Sequence, residues 1–222
     1  MNQNKIFTYA YEGKIDFIKE QVSANSNLVT ATDNNQRMLI HWASLGGHTE
    51  LVSLLINYKS PIDPEDDNMM TPLILAASAG KMDVVRLLVS KNANMNAQTI
   101  EGHSSLQYAA SKGWTIILEM LLDNGANVNI CDKRGATPLH RASSRGNLPI
   151  VRLLTRNTRI QIDAKDSEGN TPLHLSCEED HHDVSKCLVE HGARLDTLNK
   201  DSKTPLDYAN ITLARILSSI NK

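Results

Sequence analysis

Five residues late in the chain have the types that metal centres use: His174, Cys177, His181, His182 and Cys187. A structural zinc site needs four converging nitrogen or sulfur ligands, each braced by a further hydrogen bond. The spacing argues against one here. His181 and His182 fall at a turn between two helical patterns, Cys177 sits on an inner seam, and His174 belongs to a motif that recurs along the chain. His41, His140 and His174 occupy the same motif position at multiples of about 33 residues, a separation that supplies neither zinc geometry nor a nucleophile–base pair. These three imidazoles are expected to bridge a helix start to a neighbouring loop. Asp66, Asp132 and Asp166 recur once per interval and read as turn formers, not as a catalytic carboxylate set. No Gly-rich phosphate loop and no G-x-S-x-G motif is present. The sequence therefore predicts no catalytic residue, no metal and no cofactor.

The elements that position these residues follow from the recurrence itself. Thr71-Pro72-Leu73-Ile74, Ser104-Ser105-Leu106-Gln107, Thr137-Pro138-Leu139-His140, Thr171-Pro172-Leu173-His174 and Thr204-Pro205-Leu206-Asp207 begin 33, 33, 34 and 33 residues apart, and Met38-Leu39-Ile40-His41 lies one step earlier. Thr before Pro predicts a capped helix start, since the hydroxyl accepts from an orphan N–H and Pro has no donor to lose. Gly80, Gly113 and Gly146 close each first helix in a left-handed conformation. A second apolar cluster follows, as in Val84, Val85, Leu87 and Leu88, with the spacing of a second one-sided helix. A polar, turn-rich link then leads on as a hairpin. Helices this short hold together only by stacking on their neighbours. A 33-residue period with a T-P-L-H-x-A core resembles the ankyrin repeat.

That resemblance predicts an all-α ankyrin-repeat solenoid of about seven helix-turn-helix and β-hairpin units in a single domain over 1–222. The units are a worn N-terminal cap near 4–37, then 38–70, 71–103, 104–136, 137–170, 171–203 and a C-terminal cap at 204–222. Polar Asn2, Gln3, Asn4 and Lys5 suit one end of such a stack, and Ser218 through Asn221 and Lys222 the other. The unit at 137 carries one extra residue near Asn157–Gln161. The unit at 171 has Asp180 where the terminating glycine is expected, so its first helix should end less sharply.

Hydrophobic residues make up 41% and charged residues 22% of the 222, with a formal net charge of −2. That is an ordinary soluble composition without the basic footprint of nucleic-acid binders. The three cysteines are sparse and odd in number, which suits a reducing compartment, and no apolar run approaches a membrane span. A cytoplasmic and nuclear monomer, bound to neither nucleic acid nor membrane, is the expectation.

The surface is then where function should lie. The residue after each T-P-L-H quartet is expected to point away from the core, and along the chain it is Trp42, Leu75, Tyr108, Arg141, Leu175 and Tyr208. Aromatics and arginine dominate binding hot spots. Lys112, Arg145, Glu178 and Glu179 lie beside them on the first helices, with Arg37, Met70, His103 and Arg134 near the hairpin tips. Exposed charges of this kind should be replaceable with little effect on stability.

His41-Trp42-Ala43-Ser44, Tyr108-Ala109-Ala110-Ser111-Lys112 and the run from Glu168 to Glu179, in this order, resemble the gankyrin family of proteasome assembly chaperones. The resemblance implies a concave face that grips the C-terminal domain of a base ATPase subunit of the proteasome regulatory particle by charge complementarity. Arg37 and Lys112 would meet acidic partner residues, flanked by Trp42 and Tyr108. Met70 and Gln107 depart from the family pattern. Leu175, Cys177 and Glu179 also fit L-x-C-x-E, the pattern by which a family member meets a retinoblastoma-type protein. Because the motif falls within a helix, docking it as an extended peptide requires local unfolding. The alternative function is an ankyrin adaptor or inhibitor acting on a cell-cycle kinase or transcription-factor pathway.

Overall fold

The computed structural model describes residues 4–220, so Asn2, Gln3, Asn221 and Lys222 lie outside the described residues. Helices alternate along the chain: α1 Asn4–Tyr11, α2 Ile15–Ala24, α3 Leu39–Gly46, α4 Thr49–Asn57, α5 Pro72–Ser78, α6 Met82–Ser90, α7 Ser105–Lys112, α8 Thr115–Asp123, α9 Pro138–Ser144, α10 Leu148–Thr155, α11 Pro172–Glu178, α12 His182–Glu190, α13 Pro205–Tyr208 and α14 Ile211–Ile220. This is a solenoid of helix repeats. Among the described residues the expected hairpins are turns rather than ladders, with a single isolated bridge between Gln98 and Ser104.

The repeats pack as two compact units, one running to Ser105 with Asp123–Gly125, the other comprising Leu106–Leu122 and the chain from Ala126 on. In the first, α1 packs on α3 and α3 on α5, while α2, α4 and α6 form a second row. In the second, α9, α11 and α13 make one row and α10, α12 and α14 the other. Leu39, Leu73 and Val85 in the first unit and Leu139, Val151 and Leu188 in the second are fully buried. Each such side chain contributes about 1.5–3 kcal/mol of hydrophobic stabilisation.

The Thr-Pro helix starts at 71 and 137 are built as the sequence predicts. The Thr71 hydroxyl accepts from Ile74 N–H at 3.3 Å and that of Thr137 from His140 N–H at 3.4 Å, each followed by Pro at the first helical position. The motif histidines complete the device: Nδ1 accepts from the backbone N–H of Met38, Thr137 or Thr171 at 2.9, 3.1 and 3.0 Å. Nε2–H then donates across to the next hairpin, His41 to the carbonyls of Pro64 (3.0 Å) and Met70 (3.2 Å), His140 to Asn170 (3.0 Å) and His174 to Lys203 (3.1 Å). Gln107 substitutes its amide in the same register, donating to the Ala136 carbonyl at 2.7 Å. This geometry requires neutral imidazole, and burial lowers the pKa of all three histidines below the usual value.

One expectation fails at Asp180. Although it is not glycine, it takes the left-handed conformation at φ 57°, and α11 has the same seven residues as α5 and α9. A short polar side chain tolerates this conformation because it can bond locally. Asp180 Oδ1 accepts from His182 Nε2 at 3.0 Å and Asn210 Nδ2 at 2.6 Å. At Gly146 (φ 67°) the requirement is also steric: a Cβ would lie 2.8 Å from the His181 ring, which caps the Ser144 carbonyl.

Hairpin tips are joined by single backbone bonds. Asp67 N–H donates to Asn35 (3.1 Å) and Ile100 N–H to Asn68 (2.9 Å) in the first unit. In the second, Ser167 N–H donates to Arg134 (2.7 Å) and Lys200 N–H to Glu168 (3.0 Å). The extra residue in the link after α10 is taken up by local bonds, Asn157 Oδ1 accepting from Arg159 N–H at 3.0 Å.

Candidate interaction surface

The hairpin acids organise the predicted face in each unit. In the first, Asp33 Oδ1 accepts from the N–H groups of Asn35 and Arg37, both at 2.9 Å, which closes the turn, while Oδ2 accepts from Trp42 Nε1–H at 2.9 Å. Asp66 repeats the turn with Asn68 and Met70 at 2.9 and 2.8 Å. Nine residues on from Asp33 stands an indole donor, but nine residues on from Asp66 stands Leu75, which has none. Arg37 of the preceding hairpin fills the gap, its Nε donating to Asp66 Oδ2 at 2.8 Å.

Two site expectations change in consequence. Leu75 does not point away from the core: it is 3% exposed, because an aliphatic side chain at this position gains by packing inward. Arg37 is not a free surface cation, since its side chain is 17% exposed and paired with a carboxylate that is fully buried. Its guanidinium also lies 5.0 Å from the Trp42 ring centroid. Trp42 is half-buried and meets Tyr11 edge to face, with centroids 6.1 Å apart. Met70 is half-buried and lends its carbonyl to His41. Neither Asp33 nor Tyr11 was among the expected contact residues. The signal that finds Asp33 is a hairpin acid with a donor nine positions later.

In the second unit Asp132 closes its turn with Arg134 and Ala136 N–H groups at 2.9 and 3.0 Å, and its other oxygen pairs with Arg141. Arg141 is 34% exposed over a carboxylate that is 1% exposed, so it reaches the surface while paired internally. Asn199 plays the acid's part in the last hairpin, Oδ1 accepting from Asp201 and Lys203 N–H at 3.0 Å and Nδ2 donating to Tyr208 Oη at 3.0 Å. Tyr108 and Leu175 are half-buried.

Four predicted charges are exposed and make no ion pair among the described residues: Lys112 at the end of α7, Arg145 just beyond α9, and Glu178 and Glu179 at the end of α11. A helix C-terminus carries partial negative charge, so Lys112 and Arg145 are well placed there and Glu178 and Glu179 are not. The acids are kept against the local field of their own helix.

Cys177 of the L-x-C-x-E segment lies inside α11, is 1% exposed, and places its thiol 3.8 Å from Ser185 Oγ. Burial pushes this thiol up to about 11. Leu175 is half-buried beside it, so the segment is helical and partly internal, as expected. The histidines near it face different partners: His174 the Thr171 N–H and Lys203 carbonyl, His181 the Ser144 carbonyl, His182 the Asp180 carboxylate. Among the described residues no three potential ligands converge, and none of the described helices is long and apolar enough to cross a membrane.

The chain is 43% identical to the 26S proteasome non-ATPase regulatory subunit 10 of Mus musculus over 67 residues, or 30% of this chain and 29% of that protein. It is 43% identical to the Homo sapiens protein over 63 residues, 28% of each. The match thus spans under a third of these relatives' length. The crystal structure of the human ASB11 ankyrin repeat domain superposes with a TM-score of 0.86 over 98% of this chain and 97% of that one, at 24% identity, which is a likeness of fold. The family described as Ankyrin repeats (3 copies) matches residues 6–99, 91–166 and 158–219, and with helix caps and hairpin latches in that same period, the chain belongs to the ankyrin-repeat family and is a protein-interaction module.

Proposed function

We propose that this module is an assembly chaperone of the proteasome regulatory particle, monomeric, working in cytoplasm and nucleus, and that it binds the C-terminal domain of a base ATPase subunit. The observation that carries the reading is the 43% identity over 67 residues to the proteasomal subunit 10 of Mus musculus. The exposed charges support it. In the second unit, Lys112 and Arg145 suit acidic partner residues, and Glu178 and Glu179 suit basic ones. A site kept at the expense of stability is a mark of function. Trp42 and Met70, both half-buried, belong to the first unit. Across an interface such charges set orientation and association rate more than affinity. No catalytic role is proposed: the titratable groups with shifted pKa are the latch histidines, two buried thiols, the Asp207 cap and an exposed Arg194–Asp196 pair.

The test is recovery of proteasomal ATPase subunits by the tagged chain from a lysate, followed by binding of the purified ATPase C-terminal domain. Lys112→Glu and Glu179→Lys should each weaken capture, and the loss should be greatest at low salt. Recovery of no proteasomal ATPase sinks the proposal. Recovery of a kinase or transcription regulator instead would turn the reading to that of an adaptor.

A further inference from the structure

In the first unit, a cavity of about 260 Å³ is lined by Phe7, Thr8, Tyr11, Asp33 and Trp42. It is smaller than the roughly 300–1,000 Å³ of small-molecule pockets and suits one inserted side chain. Tyr11 and Trp42 stand at an interplanar angle of 84°, so their rings form two walls at right angles. Asp33 supplies a carboxylate whose hydrogen bonds are all from neutral donors, two backbone N–H groups and the Trp42 indole. No cation pairs with Asp33 among the described residues. The nearby Arg37 is paired with Asp66 and leaves the Asp33 charge uncancelled. That Arg37 already lies over the Trp42 ring indicates that this ring accepts a cation.

We propose that this cavity receives a single lysine side chain of the partner, its ammonium held between the two aromatic walls and the Asp33 carboxylate and its methylene stem against Phe7. The proposal names the chemistry of one contact in the interaction surface proposed above and rests on it for the partner's identity. Its own test needs no ATPase, so either can fail without the other. Asp33 explains why lysine and not a neutral side chain is favoured: desolvating an ammonium is offset only where a carboxylate or ring face replaces water.

Trp42 and Trp114 are the two tryptophans, so a Trp114→Phe background leaves Trp42 as sole reporter. We would titrate this protein at low ionic strength with N-acetyl-lysine methylamide and, in parallel, with the norleucine analogue that lacks the ammonium. A saturable change in Trp42 fluorescence is expected for the lysine probe, with about fivefold or greater preference over norleucine. Tyr11→Ala removes a wall whose residue is 49% exposed, and Asp33→Asn keeps the turn, as Asn199 does in the last hairpin. Each should reduce the preference to near unity while the melting curve stays cooperative. Equal response to both probes would make the cavity an apolar anchor and overturn the proposal, and so would absence of saturation with either.

Discussion

Replacing Arg37 by Met keeps most of the aliphatic stem over Trp42 but removes the guanidinium from Asp66. The Asp66 side chain is fully buried and its Oδ2 has Arg37 Nε, at 2.8 Å, as its partner, while Oδ1 retains the N–H groups of Asn68 and Met70. Breaking a buried ion pair from one side costs about 3–5 kcal/mol, and a single hydrogen bond to a charged group contributes about 1.5–3 kcal/mol. Because the carboxylate keeps two donors and Arg37 is 17% exposed, the loss should fall at about 2–3 kcal/mol. Urea unfolding followed by far-UV circular dichroism measures it. The double variant Arg37→Met with Asp66→Asn should recover part of the loss, since Asn serves in the same turn at position 199, and the double-mutant cycle should show coupling of at least about 1 kcal/mol. A loss below about 0.5 kcal/mol, or additive single effects, would refute the structural role given to this pair. Charge reversal at Arg37 is consequently a poor probe of binding, and Lys112 is the cleaner one.

Acid should weaken the fold through the three latch histidines. Their folded pKa values lie below the unfolded value near 6.5 because burial disfavours imidazolium. The stability they confer is therefore intact above about pH 6.5 and is lost as pH falls through it. Each can contribute at most about 1.4 kcal/mol between about pH 7.5 and 5.5, so the melting temperature should drop clearly over that range and drop less in His140→Gln, which copies Gln107. Glu178→Gln with Glu179→Gln should raise stability by about 0.3–1 kcal/mol by relieving the end of α11, while weakening capture of a basic partner surface; unchanged or lower stability contradicts the field argument. Thiol titration with an aromatic disulfide should find Cys131 fast and Cys177 and Cys187 slow in the folded protein, since the latter two are 1% and 4% exposed and burial raises both. A fast Cys177 would mean that α11 opens readily, and with it the L-x-C-x-E segment.

Much of this was legible from letters alone, because a repeat writes its local rules several times. Thr-Pro starts, the His bridges and the hairpin acids follow from bonds within one period, and the structure places them as the spacing predicts. Leu75 and Arg37 depart from the expectation for a different reason. Leu75 has no donor for Asp66 nine positions earlier and packs inward, and Arg37 of the preceding unit supplies the donor instead. Arginine stands at this hairpin position in one copy only, the later ones having Met70, His103, Ala136, Asn170 and Lys203, so the period does not display the Arg37–Asp66 pair. Asp180 escaped because a side chain's own hydrogen bonds stood in for the freedom of glycine.

The histidine latches give the chain a direction. Each donor stands at the start of its repeat and its acceptor in the hairpin that ends it, 23 to 30 residues on, so a cut between them treats its two sides differently. A chain that stops before Asn170 leaves His140 with a stranded donor in the middle of its cap, whereas one that starts there exposes only a carbonyl that water readily serves. On a ribosome, each repeat would stay unfinished until about thirty further residues had emerged to close it. Completion would then travel from the amino end as a wave lagging one repeat behind synthesis.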